Sequence, residues 1–287
     1  MKAYFSLIKF SHTVFALPFA FLSFFLGMKI ENQAFSLKLI LLILCCMIFA
    51  RSAAMAFNRY ADRKIDAEND RTKVREIPSG IISPTSAFWF VALMSALFIF
   101  TTYWINPLVF YLSPVALLVV LGYSYTKRFT WLCHFVLGIG LGLAPVGAFL
   151  AVTGHFGLLP VLYGFMVMLW VSGFDILYAL QDENFDREHH LHSVPEAFGK
   201  QKAKRIAMFI HGCCAILLLC ITTYQAKLFP TFGWLHWLGA IGFMGLLVRQ
   251  HLLVNRYDLA KINQAFFETN GIASVLFGLS VIIDVLW

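Results

Sequence analysis

The sequence predicts an all-α, polytopic membrane protein of about nine transmembrane helices, with its N-terminus on the cytoplasmic side. Three observations predict it. First, 60% of the 287 residues are hydrophobic and only 13% are charged, about half the charged share of an ordinary soluble domain. Second, the hydrophobic residues fall into runs of about 20, the length that crosses a bilayer as a helix. Third, Lys and Arg gather in alternate connections, the pattern that marks cytoplasmic loops.

In chain order, a short amphipathic lead over residues 1–11 carries Lys2 and Lys9. The apolar runs are 12–29, 35–57, 85–105, 107–125, 131–153, 157–181, 204–225, 232–254 and 265–287. The first lacks a small-residue cleavage site, which predicts a retained helix rather than a signal peptide. Pro18, Pro107, Pro114 and Pro145 lie in runs or at their ends, where membrane helices tolerate proline. The connections after runs two, four, six and eight hold Arg59, Arg63, Lys64, Arg71, Lys73, Arg75, Lys127, Arg128, Arg187, Lys200, Lys202, Lys204, Arg205, Arg256 and Lys261. The opposite side holds only Lys29, Lys38 and Lys227. The net charge of +7 therefore reports orientation in a membrane rather than affinity for nucleic acid. Nothing points to a protein partner. The six cysteines all lie in apolar runs with no Cys-x-x-Cys pair, as small buried hydrophobes do. The chain reads as one domain over residues 1–287.

Two polar stretches interrupt this pattern at the predicted cytoplasmic side. After run two, Asn58, Asp62 and Asp66 recur every four residues; if the helix continues, they share one face. At the end of run six, Asp175, Tyr178, Asp182 and Asp186 are spaced by three, four and four residues, again one helical face. An acid such as Asp175 in an apolar setting is costly without a function. Oxygen donors without sulfur suit a hard cation such as Mg²⁺, and two opposed acidic clusters would hold a diphosphate through bridging ions. Arg71, Arg75, Lys127 and Arg128 close the same side; they are either positive-inside charge or binding groups for a diphosphate or a carboxylate. Arg51, seven residues before Asn58, either neutralises a buried acid or binds an anion. His189, His190 and His192 lack zinc-ligand spacing and read as a solvated loop. The connections 58–84 and 182–203 are long enough to be binding loops.

These residues together resemble the UbiA-type intramembrane prenyltransferases. The resemblance rests on Asn58-x-x-x-Asp62-x-x-x-Asp66, the loop Arg71-Thr-Lys-Val-Arg75-Glu-Ile-Pro78-Ser-Gly80, the turn Tyr123-Ser-Tyr-Thr-Lys-Arg128, and Asp175-Ile-Leu-Tyr178-Ala-Leu-Gln-Asp182-Glu-Asn-Phe-Asp186. Lys9–Pro18 and Leu191-His-Ser-Val-Pro195 resemble the 4-hydroxybenzoate polyprenyltransferase-like branch, members of which are associated with the futalosine route to menaquinone. The resemblance implies helices around a central cavity. It also implies Mg²⁺-dependent transfer of a polyprenyl group from a polyprenyl diphosphate to a hydroxylated aromatic acid, 4-hydroxybenzoate or 1,4-dihydroxy-6-naphthoate, in quinone biosynthesis at the bacterial inner membrane. Asn58, Asp62 and Asp66 would then bind one ion, and Asp182 and Asp186 another. Asp175 and Tyr178 would orient the acceptor, while Arg71, Arg75, Lys127 and Arg128 would bind diphosphate or carboxylate. Two departures stand out: Arg59 where many relatives have Asp, and His192 where many have Lys.

Two other classes compete. A CDP-alcohol phosphotransferase would carry an Asp-Gly start that is missing here. A membrane transporter would also place acids in its helices, but near the midplane rather than at one surface.

Overall fold

The computed structural model describes residues 2–7, 15–257, 262 and 268–287, and the described residues are helical with no strand. The elements are α1 (Lys2–Leu7), α2 (Leu17–Ile30), α3 (Leu37–Ala61), α4 (Arg63–Glu68), α5 (Pro84–Tyr103), α6 (Pro107–Thr126), α7 (Cys133–Thr153), α8 (Leu158–Ala179), α9 (Glu183–Glu188), α10 (Val194–Phe198), α11 (Lys200–Leu228), α12 (Leu235–Tyr257) and α13 (Asn270–Leu286). Among the described residues, seven helices (α3, α5, α6, α7, α8, α11 and α12) are long and apolar enough to cross a membrane. The apolar helices α2 and α13 are shorter, at 14 and 17 residues. All lie in the runs the sequence predicts. Lys9, most of the branch-like segment up to Pro18, and Lys261 lie outside the described residues.

Local chemistry sets the helix starts. Ser36, Ser83 and Asn106 stand just ahead of α3, α5 and α6, and their oxygens accept the amides of Leu39 (3.2 Å), Ser86 (3.1 Å) and Val109 (2.9 Å), satisfying donors the helix cannot. Pro84 and Pro107 follow two of these caps, at the position where proline sacrifices no hydrogen bond. The Asn106 amide also donates to the Leu150 carbonyl at 2.8 Å, which ties the α5–α6 turn to the end of α7.

The core gathers around Trp170 of α8, which is fully buried among Phe19, Phe174 and Phe243, with Phe277 behind Phe19 and Phe243. Its indole N–H donates to Asn270 Oδ1 at 3.0 Å, the partner that a buried indole requires. Outward positions such as Leu118 and Phe209 are 75% and 73% exposed and suit lipid. The α7–α8 contact depends on backbone approach. A Cβ on Gly138 would stand 2.5 Å from the Met168 carbonyl, and one on Gly142 2.5 Å from the Gly164 carbonyl. In a membrane, where apolar burial between helices brings little, such close packing is a main source of association.

The ends of the bundle segregate. At one end Glu31 pairs with His155 (2.9 Å) and Lys29 donates to the Val285 carbonyl (3.0 Å). The opposite end holds the last turns of α3, α6 and α8, the first turn of α11, and the short helices α4, α9 and α10. Both acidic stretches are at that end, as the sequence predicts, but neither is one continuous helix. The first breaks at Asp62 (φ −91°, ψ 7°) between α3 and α4. The second stops at Ala179 and restarts after Asp182 (φ −104°, ψ 2°) as α9. At the first break Arg128 takes the Ala61 carbonyl at 2.7 Å; at the second Arg71 grips Asp182. Tertiary ion pairs, which the helical repeat does not encode, hold both bends.

Gly138→Leu should lower the thermal midpoint in detergent by several degrees, since overpacking a tight contact costs about 1–3 kcal/mol. Gly212→Leu, on an open face of α11, should leave the midpoint unchanged; fluorescence-detected melting compares them.

Candidate active site

The two bends bring the acidic stretches together over a polar cavity of about 150 Å³. Asn58, Asp62 and Asp66 line it from α3 and α4, Asp182 and Asp186 from the α8–α9 junction, and Asn69, Arg71, Arg75 and Lys127 complete the wall. Every residue predicted to hold a metal lines it, as do three of the four predicted anion-binding cations.

In this arrangement three carboxylates are held by arginines. Arg128 Nη2 donates to Asp62 Oδ1 at 3.1 Å, and Asn58 Nδ2 to Asp62 Oδ2 at 3.2 Å. Arg75 Nη1 reaches both oxygens of Asp66 at 2.7 and 2.8 Å. Arg71 grips Asp182 with two nitrogens, its Nε at 3.0 Å, the fork geometry that makes such pairs strong. The Lys127 side chain makes no hydrogen bond or ion pair among the described residues, and it lines the cavity. Burial pushes the Asp62 carboxyl above the usual carboxylate range, outweighing Lys127 and the Arg128 hydrogen bond. Burial likewise raises Asp186, against Lys127 and a hydrogen bond from Ser193.

The donor set fits a hard divalent ion: it offers oxygens only, several per ion, in a small polar cavity. Among the described residues no three His, Cys, Asp or Glu side chains converge closely enough to hold an ion directly in this arrangement. The predicted triad and pair of ligands are spread around the cavity, and three of them, Asp62, Asp66 and Asp182, are occupied by guanidinium groups.

Asp175 and Tyr178 are placed differently from the expectation that they join Asp182 and Asp186. Neither lines the polar cavity. Tyr178 lies beneath the Arg71 guanidinium, 5.7 Å from ring centre to charge. Asp175 pairs through Oδ2 with His134 Nδ1 at 2.7 Å. The reason is the break after Ala179, which turns the later acids away from the α8 face that carries Asp175. His134 carries no sequence signal beyond being a histidine at the head of an apolar run. His189 also departs from the solvated-loop reading: its ring stacks on Phe185 at 3.9 Å, and Nε2 meets Glu68 at 3.1 Å.

Directly below, along α3 and α6, lies a second, apolar cavity of about 350 Å³ between α3, α5, α6 and α7. Residues such as Met47, Phe98, Val109, Leu141 and Ala148 line it, and Arg51 and Tyr123 are on its wall one or two turns from Asn58 and Lys127. Arg51 makes no hydrogen bond or ion pair with a described residue, and its Nε is buried without a partner. Of the two readings of Arg51, the ion pair with a buried acid is not what the structure contains.

A model of the UbiA prenyltransferase family matches residues 16–272. A 4-hydroxybenzoate octaprenyltransferase of Nitrosomonas eutropha is 32% identical over 240 residues, 83% of this chain and 81% of that protein. One from Nitrosomonas europaea is 30% identical over 241 residues, 84% and 80% of the two chains. Among solved structures, the apo structure of a UbiA homologue from Aeropyrum pernix K1 superposes with a TM-score of 0.82 at 29% identity, covering 95% of this chain and 98% of that one. A UbiA homologue from Archaeoglobus fulgidus bound to GPP and Mg²⁺ has a TM-score of 0.75 at 21% identity, covering 99% and 100%.

Asp62→Ala and Asp182→Ala should each weaken divalent-ion binding at least tenfold, read with Mn²⁺ by electron paramagnetic resonance in detergent. Asp70→Ala, at an exposed acid paired with Lys73 outside the cavity, should leave it unchanged.

Proposed function

The chain belongs to the UbiA prenyltransferase family, and we propose that it transfers a polyprenyl group from a polyprenyl diphosphate to a hydroxylated aromatic acid, 4-hydroxybenzoate or 1,4-dihydroxy-6-naphthoate, in respiratory quinone biosynthesis. The names of its relatives, 4-hydroxybenzoate octaprenyltransferases, support the reaction class. The observation that carries it is the stacking of a charged cavity on an apolar one, with an unpaired cation on the wall of the lower. A diphosphate with a long hydrocarbon tail has the same division. Membership over residues 16–272 supports one domain. The concentration of Lys and Arg at the site's end supports a cytoplasmic opening, in a bacterial inner membrane.

Asn58, Asp62, Asp66, Asp182 and Asp186 would hold Mg²⁺, the ion bound together with GPP in the Archaeoglobus fulgidus homologue. When bound, the ion neutralises charge on the diphosphate oxygens. Arg71, Arg75 and Arg128, released from their carboxylates, and Lys127 would add fixed donors to the leaving diphosphate. The charges agree: four acids and four cations cancel, so an ester of about three negative charges needs added divalent ions to enter.

The C–O bond between the allylic carbon and the diphosphate breaks, and the electron pair leaves with the diphosphate. A ring carbon of the acceptor supplies the pair for the new C–C bond, and the ring proton on that carbon is lost. The apolar cavity would hold the tail and keep water from the allylic cation, and Tyr123 on its wall offers a ring face to that charge. Arg51, on the wall of the apolar cavity, would pair with the acceptor carboxylate, which leaves Arg128 to the diphosphate. Asp175 would orient the acceptor hydroxyl, with Tyr178 alongside. A transporter has no use for this chemistry.

Purified protein with Mg²⁺ and a labelled polyprenyl diphosphate should transfer label to one member of a panel of 4-hydroxybenzoate, 1,4-dihydroxy-6-naphthoate and 1,4-dihydroxy-2-naphthoate. Neither transfer nor release of diphosphate, in folded protein, would overturn the reading. Arg51→Met should raise the acceptor KM by about 30-fold or more, as losing one partner of a buried charge pair costs about 2–5 kcal/mol, with little change in donor KM. An equal rise in donor KM would move Arg51 to the diphosphate.

A further inference from the structure

His134 stands at the first turn of α7 and is 2% exposed. Both ring nitrogens are committed. Nδ1 is 2.7 Å from Asp175 Oδ2, and the Val194 backbone N–H donates to Nε2 at 3.2 Å. A backbone amide can only donate, so Nε2 must present its lone pair, and the single ring proton must be on Nδ1, directed at the Asp175 carboxylate. An imidazolium would set its Nε2–H against the Val194 N–H. The geometry therefore selects one neutral tautomer and leaves the ring no site from which to exchange a proton.

The ring is also held from behind. Its backbone carbonyl accepts from Ser172 Oγ at 3.2 Å, and Gly138, one turn on, keeps α7 tight on α8, since a Cβ there would lie 2.7 Å from that same Oγ. Asp175 is left with Oδ2 taken and makes no other side-chain hydrogen bond among the described residues, while its side chain stays 25% exposed. Val194 opens α10, and its neighbour Ser193 both caps that helix, accepting from Glu196 N at 3.3 Å, and bonds Asp186. One side chain thus joins the acid assigned to the acceptor to the segment that positions an acid assigned to the metal.

We propose that His134 is a positioning residue for prenyl transfer, a fixed neutral splint that aims Asp175 at the acceptor and registers the 191–195 segment against it. This rests on the function proposed above. The role needs a donor facing Asp175 and an acceptor facing Val194, not a titrating group. A glutamine amide supplies both, one N–H and one carbonyl, whereas leucine supplies neither.

His134→Gln should keep acceptor turnover within about threefold of wild type, with an unchanged pH profile of kcat. His134→Leu should lower kcat at least tenfold, with donor KM unchanged. Nitrogen-15 spectra of histidine-labelled protein, with His134→Gln identifying the resonance, should show a protonated Nδ1 and a bare Nε2 from pH 6 to 9. A glutamine variant as impaired as the leucine one would overturn the proposal by requiring a titrating imidazole. So would a fully active leucine variant, a leucine variant that loses donor affinity, or an imidazolium in the spectrum. Wild-type protein that transfers to no acceptor would instead remove the functional reading, and the spectrum would still decide the fixed tautomer.

Discussion

The arrangement depends on charge balance among buried carboxylates. Asp62, Asp66 and Asp186 are between 4% and 6% exposed, where an uncompensated charge is costly. For Asp62 and Asp66 the compensation comes from outside their own helices, from Arg128 at the end of α6 and Arg75 in the segment between α4 and α5, and Arg71 in that segment takes the half-buried Asp182. Each pair therefore does two things. It neutralises an acid and it fixes a loop. Because Arg71 crosses from the first acidic stretch to Asp182 in the second, the two halves of the candidate site are joined by the same bonds that keep it neutral.

The same pairs suit a site that must exchange partners. Breaking a buried pair outright leaves a bare charge and costs several kcal/mol. On the proposed function, an incoming trianion with divalent ions would give both partners of each pair new counter-charges. A low-dielectric surrounding then makes each new contact strong. The structure's surplus lies two turns deeper, where Arg51 lines a mostly apolar cavity beside Tyr123 with no acid paired to it among the described residues. An unpaired guanidinium there is tolerable only if an anion visits it, which is why a carboxylate-bearing acceptor is the reading its surroundings favour.

Rigidity comes from the α7–α8 contact. Gly138 and Gly142 let backbone meet backbone, and that approach brings His134 within reach of Asp175 and of Ser172 on the neighbouring helix. The segment 191–195 is then hung on this rigid pair through Val194 on His134, and on the end of α6 through the His192 amide, which donates to the Lys127 carbonyl at 2.6 Å. Packing at the membrane's centre thus sets the geometry of polar groups at its surface.

The sequence by itself determined the class and the inventory, and put both acidic stretches at one end of the bundle. Runs of hydrophobic residues must become helices in a bilayer because their backbone groups have no other partner there. The spacing of Asn58, Asp62 and Asp66, and of Asp182 and Asp186, marked the oxygen donors that line the cavity. What only the tertiary structure decided is how those groups pair. The helical repeat implied a continuous face through Asp66 and through Asp186, but each helix bends as it leaves the apolar layer, so Asp175 parts from Asp182 and takes His134 instead. Neither His134 nor the isolation of Arg51 was legible, because partners 41 residues apart in the chain, and the absence of any partner, are properties of packing in three dimensions rather than of local sequence.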